Sequence, residues 1–508
     1  MAEKNINSQR LAKNTIILYC RTGVSLLVSL YTARVVLQVL GVENYGVLNA
    51  VGGIMGMGAI ITGALSNSIS RFITYELGRG DAKKLNHVFI TSMNIQLVLA
   101  ATMVLLCETI GVWFLNTQMN IPFDRMTAAN WILQFVLLSV VFNLTQVPYG
   151  ACIVGHERMS IFAWFSIVES VLRLLIVFLL YISPYDKLIC YSALGTSVSF
   201  VICMAQRLYC RLQFPECHYK PLFNKKLMRE MTGFAGWSCM VNTTWVLNSQ
   251  GINILINIFF GVIYNAARGV SSSIEGVIKS FYTDFMTAMS PQITKSYAAG
   301  DLEGMNKLIC QGAKHAYFLL FFLSLPFMFE TYMVLKIWLG IVPDYTVIFF
   351  RLGMISALVM LLGETGLKAC MATGNIKWYS IIIGSISCFV FPLTWLAFQL
   401  GMRVEFAYII HIFIYGIINI VRLFIMKSLW GFPIGMYISQ TIVPVMKVTI
   451  VAIVMPLLLY HNLEDSVVKS VTVMGTCLIS SMLAVYILGL SRQERDFIVN
   501  KIKLKLVK

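Results

Sequence analysis

Residues 161–182 read IFAWFSIVESVLRLLIVFLLYI. One carboxylate, Glu169, and one guanidinium, Arg173, interrupt an otherwise apolar run, and they stand four apart, where a helix brings them together. A helix of about 20 such residues crosses the roughly 30 Å hydrocarbon core of a bilayer. Within lipid every backbone N–H and C=O must find its partner inside the segment, so the run reads as a transmembrane helix.

Outward from it the same pattern repeats. Runs of this kind occupy 14–39, 45–70, 87–113, 127–152, 161–182, 188–208, 233–260, 266–290, 312–338, 347–370, 379–400, 405–427, 438–460 and 467–490, about fourteen spans in all. The chain of 508 residues is 58% hydrophobic and 12% charged, about half the charge of a soluble domain. A membrane barrel would instead show alternating segments of about ten residues. The fold class expected is an all-α polytopic membrane protein.

The net charge of +16 invites a nucleic-acid reading, but its placement argues against one. Lys and Arg gather in alternate short loops: Lys4, Arg10 and Lys13; Arg71, Arg79, Lys83 and Lys84; Arg207 to Arg229; Lys295, Lys307 and Lys314; and the tail from Arg492 to Lys508. Opposite loops hold little beyond Arg125, Lys187 and Arg403. Basic loops stay on the cytoplasmic side, so both termini are expected there and the span number should be even. The first apolar run is too long for the core of a signal peptide, and it is expected to stay as an anchor. The twelve cysteines lack zinc-site spacing, and neither a metal nor a cofactor is expected.

Three loops repeat at a nearly constant separation. Gly41 pairs with Gly261 (261 − 41 = 220), Ile73-Thr74 with Ile293-Thr294, Gly80-Asp81 with Gly300-Asp301, and Asn86 with Asn306. Gly155, before another span, pairs with Gly374 (374 − 155 = 219). Each copy holds six spans, an even number, so two parallel six-helix bundles related by an axis along the membrane normal are expected. The boundaries expected are an N-terminal lobe over 1–208, a linker over 209–232, a C-terminal lobe over 233–427, two added helices over 438–490 and a basic tail over 491–508. Two lobes about a central cavity are the architecture of alternating access.

Charges inside spans cost about 2.5–3.5 kcal/mol each and need a reason. Asn14, Arg21, Ser25 and Thr32 share one face of the first span, and Asn242, Ser249, Asn253 and Asn257 one stripe of the seventh. Arg268, Ser272, Glu275, Lys279 and Tyr282 lie within a narrow arc of the eighth. Some of these groups have a purely structural use. Glu169 with Arg173, Glu275 with Lys279, and Glu364 with Lys368 are i,i+4 pairs that neutralise one another. Arg34 can snorkel to the interface. Arg21, Ser25, Asn242, Asn253, Arg268, Ser272, Lys279 and Tyr282 are the residues expected to line a cavity for an anionic, hydroxyl-rich ligand, since Arg matches phosphate oxygens and Lys adds a point charge. Glu275, Asp284 and Glu364 are the carboxylates available to a coupling H+ or Na+. The glycines at 46, 52, 53, 56, 58 and 63 allow close helix approach. No paired catalytic residues, phosphate-binding loop or large extramembrane domain is legible, so the chain is not expected to be an enzyme.

The segment Lys13-Asn14-Thr15, then Arg21, then Leu40-Gly41-Val42-Glu43-Asn44-Tyr45-Gly46, together with the Gly80-Asp81 loop and the repeat, resembles bacterial polysaccharide and O-antigen flippases of the Wzx type. Those belong to the multidrug/oligosaccharidyl-lipid/polysaccharide (MOP) exporter superfamily. The resemblance implies a V-shaped, MATE-like carrier of the bacterial inner membrane that moves undecaprenyl-diphosphate-linked oligosaccharides to the outer leaflet. It also implies cavity arginines in the first and eighth spans, where Arg21 and Arg268 stand. The alternatives are an ion-coupled multidrug antiporter, a flippase for the peptidoglycan lipid precursor, and a membrane-embedded glycosyltransferase. The absence of an acidic residue from the first span weighs against the antiporter, and the short loops weigh against the transferase.

Overall fold

The computed structural model describes residues 14–496 except 30, 33–34, 37–38, 41–58, 118–122, 185, 340–341, 343, 465 and 493. The described residues are helical throughout, joined by short turns. Among the described residues, ten helical stretches are long and apolar enough to cross a membrane. The remaining four expected spans coincide with helical residues at 14–29, Ala59–Arg79, Lys225–Phe260 and Val262–Ala298. Val262–Ala298 falls short of the apolar criterion because Arg268, Glu275, Lys279 and Asp284 interrupt it. The chain is thus an all-α polytopic membrane protein. Large apolar side chains such as Leu105, Trp113, Ile182, Phe413 and Val468 stand more than half exposed, on surfaces that suit lipid rather than water.

The helix starts display the internal repeat. Ala82 and Leu302 differ by 302 − 82 = 220, Met126 and Thr346 by 346 − 126 = 220, Met159 and Lys377 by 377 − 159 = 218, and Lys187 and Phe406 by 406 − 187 = 219. The Gly-Asp loop is built identically in both copies. Gly80 (φ 73°) and Gly300 (φ 77°) end their helices in the left-handed conformation that only glycine adopts without a Cβ penalty. Asp81 and Asp301 then cap the next helix, accepting from the N–H of Lys84 at 3.1 Å and of Gly304 at 2.8 Å. The Lys84 backbone bond holds the Asp81 carboxyl below the usual carboxylate range. Asn86 and Asn306 both tie down the end of the last helix of their copy. Asn86 donates to the carbonyls of Glu216 and His218, and Asn306 accepts from the Trp430 indole.

The Gly155–Gly374 pair differs in conformation. Gly155 is the last residue of the helix Met126–Gly155, and the left-handed residue of that turn is Glu157 (φ 59°), whereas in the second copy it is Gly374 (φ 78°). Glu157 sustains this backbone because both its ends are held: its carboxylate accepts from Lys295 at 2.8 Å, and its carbonyl from Asn14 at 3.4 Å. Several expected spans are also interrupted. The run 312–338 breaks at Glu330 between Leu302–Phe329 and Thr331–Leu339, and 347–370 breaks at Gly363 between Thr346–Leu362 and Glu364–Thr373. Arg351 closes the first break by donating to the carbonyls of Met328 (2.7 Å) and Phe329 (3.1 Å), which the helix end leaves unpaired. The second break leaves room for a side chain described below.

The chain forms two compact units, residues 1–243 with 287–300, and 244–286 with 301–508. Lys225–Phe260 begins inside the segment read as a linker, and the residues outside helices there are few. The first unit has one apolar core around Ile69, Ile73, Phe89, Tyr149 and Ile153, and another around Leu115, Ile132, Leu133, Val177 and Leu180. In the second, Phe321, Phe349 and Phe350 are fully buried, and the added helices Val443–Asn462 and Val467–Ala484 pack on each other.

Candidate functional site

The charged arc of Val262–Ala298 lies in the second unit and is assembled around Glu275. Glu275 is 7% exposed, accepting from Lys279 Nζ at 2.7 Å on one oxygen and from Ser271 Oγ at 3.0 Å on the other. The helix period sets these contacts, since 271, 275 and 279 are successive i,i+4 positions. Thr346–Leu362 makes room for the carboxylate: a Cβ added to Gly353 would lie 2.0 Å from Glu275 Oε1. One turn earlier, the Arg268 guanidinium lies 5.7 Å from the centre of the Tyr408 ring, within range of a cation–π attraction. On the helix that carries Tyr408, His411 shares a 2.7 Å hydrogen bond with Ser356 and stacks on Tyr415. The result is a polar stack of one buried carboxylate and two half-buried cations, walled by aromatic rings and hydroxyls. Its Glu275–Lys279 pair is internally neutral, so Arg268 supplies the net positive charge.

The other expected residues fall as follows. Ser272 is exposed, and it is its neighbour Ser271 that binds Glu275. Tyr282 is half-buried and Asp284 buried on the same helix. Glu364 meets Lys368 at 3.7 Å, and Asn253 is half-buried. Asn242, with Ser249 and Asn257, has a side chain outside the described residues, as do Arg34, Gly41 and most of the 40–46 segment. In the first unit Arg21 lies 5.3 Å from the centre of the Phe162 ring and donates to Thr22 at 3.2 Å. Ser25 accepts from Ser170 at 3.2 Å, a helix-to-helix bond. All three i,i+4 pairs read from the sequence form, Glu169–Arg173 closing at 2.9 Å.

Sequence reasoning passed over Arg422. It is 7% exposed within an apolar span, donating from Nε to the Tyr379 hydroxyl (2.9 Å) and from Nη1 to Asn419 Oδ1 (3.1 Å). The break at Gly363 accommodates it, for a Cβ there would lie 1.7 Å from Nη1. Its lone charge in an apolar run was the available signal. Asn419 lies one turn away on the same helix, but Tyr379 comes from another helix, so the run itself does not reveal what the charge does.

Comparison with known proteins bears on the family and the fold. A family model described as polysaccharide biosynthesis protein matches residues 11–295, more than half the chain. The membrane protein EpsK of Bacillus subtilis (strain 168), itself named as uncharacterized, is 23% identical over 285 residues. That alignment spans 55% of this chain and 56% of EpsK, so the match covers about half of each. Among solved structures, a MATE mutant is similar with a TM-score of 0.72 at 12% identity, over 83% of this chain and 96% of that one. A MOP superfamily transporter from Pyrococcus furiosus is similar with a TM-score of 0.65 at 14% identity, over 83% and 95%. At these identities the likeness is one of fold.

Proposed function

We propose that this chain, which belongs to the polysaccharide biosynthesis protein family and has a MATE-like fold, flips undecaprenyl-diphosphate-linked oligosaccharides across the bacterial inner membrane. The single observation that carries this reading is the Arg268–Glu275–Lys279 stack on Val262–Ala298, one buried carboxylate with two half-buried cations. A half-buried cation without a use is costly within a membrane, and a guanidinium beside hydroxyls and rings suits a diphosphate carrying a sugar. In the second unit Arg268 binds the diphosphate, while Asn253, Ser272, Lys279 and Tyr282 add hydrogen bonds to substrate; in the first unit Arg21, Ser25 and Asn242 are the substrate contacts. The two six-helix repeats, split by the segment 209–232, alternate access to it, and both termini face the cytoplasm. If an ion is coupled, Glu275, Asp284 and Glu364 are the carboxylates that take the H+ or Na+.

Complementation of a flippase-null strain tests the reading. The wild-type chain restores surface polysaccharide; Arg21→Ala and Arg268→Ala insert normally and do not. Full rescue by both variants returns these arginines to a packing role. Lowered sensitivity to cationic dyes without rescue of polysaccharide replaces the flippase by a multidrug antiporter.

A further inference from the structure

In the first unit a polar cavity of about 190 Å³ opens among the helices Met126–Gly155, Met159–Ile182 and Lys187–Gln213. Ser192, Thr196 and Ser199 are its buried hydroxyls, while Asn143 and Arg173 are exposed at its rim. A polar hollow within three apolar spans is unfavourable unless something polar fills it. One larger side chain would close it.

The second repeat contains that closed version. His411 and Tyr415 stand where the first repeat has Ser192 and Thr196 (411 − 192 = 219; 415 − 196 = 219), the same offset as the two helix starts. Their rings stack at 4.3 Å, and Ser356, equivalent to Val136 (356 − 136 = 220), bonds to His411. The fold therefore tolerates a filled site, and small hydroxyl side chains keep the first one open.

The lining selects its ligand by chemistry. Arg173 donates from Nε (3.1 Å) and Nη2 (2.9 Å) to the same oxygen of Glu169, so the pair is nearly neutral and three of the five guanidinium donors remain. Ser192 and Ser199 donate one turn back, to the carbonyls of Leu188 and Gly195, which leaves their lone pairs as acceptors. Thr196 shares a 2.9 Å bond with Ser139 and is near enough to the carbonyls of Phe135 and Ser192 to donate to either. An anion would meet a guanidinium already neutralised by Glu169, and an apolar chain would strand the hydroxyls. A neutral ring bearing hydroxyls, each both donor and acceptor, matches donors and acceptors alike, and Tyr191 adds an aromatic wall. Ligand pockets usually exceed about 300 Å³, so the space suits one ring rather than an oligosaccharide.

We infer that this cavity is a carbohydrate subsite that takes one neutral sugar ring of the glycan; its place in transport rests on the flippase reading. The test uses the full chain in nanodiscs with methyl glycosides of glucose, galactose and N-acetylglucosamine, followed by saturation-transfer NMR. At least one glycoside gives a saturable signal with the wild type, and the signal survives Arg268→Ala. It falls at least tenfold in the double substitution Ser192→His with Thr196→Tyr, which imports the rings of the second repeat, and in the rim variant Asn143→Leu, which leaves the buried packing alone. Saturable binding untouched by both cavity variants, or no saturable binding of any glycoside, overturns the subsite. Translocation of a lipid-diphosphate glycan by the same preparations separates the two ideas. Transport without glycoside binding removes the subsite alone, and glycoside binding at the cavity without transport removes the flippase alone.

Discussion

Glu275 is placed by a missing side chain as much as by its own bonds. Gly353 leaves the space for its carboxylate, and a methyl group there displaces Oε1. The glutamate end is flexible, so the helices need not part. The cost is the hydrogen bond from Ser271 and the ion pair with Lys279, about 1–3 kcal/mol for a buried charged group losing its partners. Gly353→Ala is therefore expected to insert and fold, yet to lower transport about tenfold, since 1.4 kcal/mol is one decade. Initial rates in proteoliposomes read this directly. A rate equal to wild type means that the Glu275 geometry does not matter to transport. The Glu275–Lys279 pair was legible in the sequence because a helix fixes its own i,i+4 neighbours. Arg422 was not, because Tyr379 lies 43 residues away and the accommodating gap at Gly363 belongs to another helix.

Among the elements, the helices that the repeat does not contain are fastened at the end of the chain. Glu494 follows the last span and receives Lys314 at 2.8 and 3.1 Å, His315 at 3.3 Å and the Ser491 N–H at 2.7 Å. Burial alone would push its carboxyl up, but the bonds and charges of His315 and Lys314 outweigh that and hold it well below the ordinary value. A depressed folded pKa contributes stability that is complete above the unfolded value of about 4.3 and is lost as pH falls through the folded one. Glu494→Gln leaves Lys314, 5% exposed, without its countercharge, a loss of about 3 kcal/mol for a broken buried pair. Thermal unfolding in detergent at pH 7 should show a lower midpoint for the variant, with the gap to wild type narrowing in acid. A gap that widens in acid contradicts the assignment. This clasp joins residues 180 apart, a separation at which helical periodicity carries no information. The left-handed turn at Glu157 was hidden for a similar reason: no glycine marks it, and Lys295, far along the chain, lets a glutamate take that role.

For the whole molecule, the two copies of the Gly-Asp loop imply a fixed topology. Six of the spans read from the sequence separate them, so both loops are expected on one side of the membrane. Cysteines introduced one at a time at Lys84 and Lys307, in a cysteine-replaced background, are expected to react with an impermeant maleimide only when the inner face of the membrane is exposed. Labelling from opposite sides would refute the parallel repeat. The repeat was readable from Gly80-Asp81 and Gly300-Asp301 because each residue has a local duty, a left-handed turn and a helix cap. The central claim, that a half-buried cation in a MATE-like fold serves an anionic lipid-linked glycan, is tested most directly by proteoliposome transport of a fluorescent polyprenyl-diphosphate oligosaccharide beside a cationic dye. The account predicts that wild-type protein moves the glycolipid and not the dye, and that Arg268→Ala abolishes this movement. Dye transport that Arg268→Ala leaves intact, with no movement of the glycolipid, would contradict it.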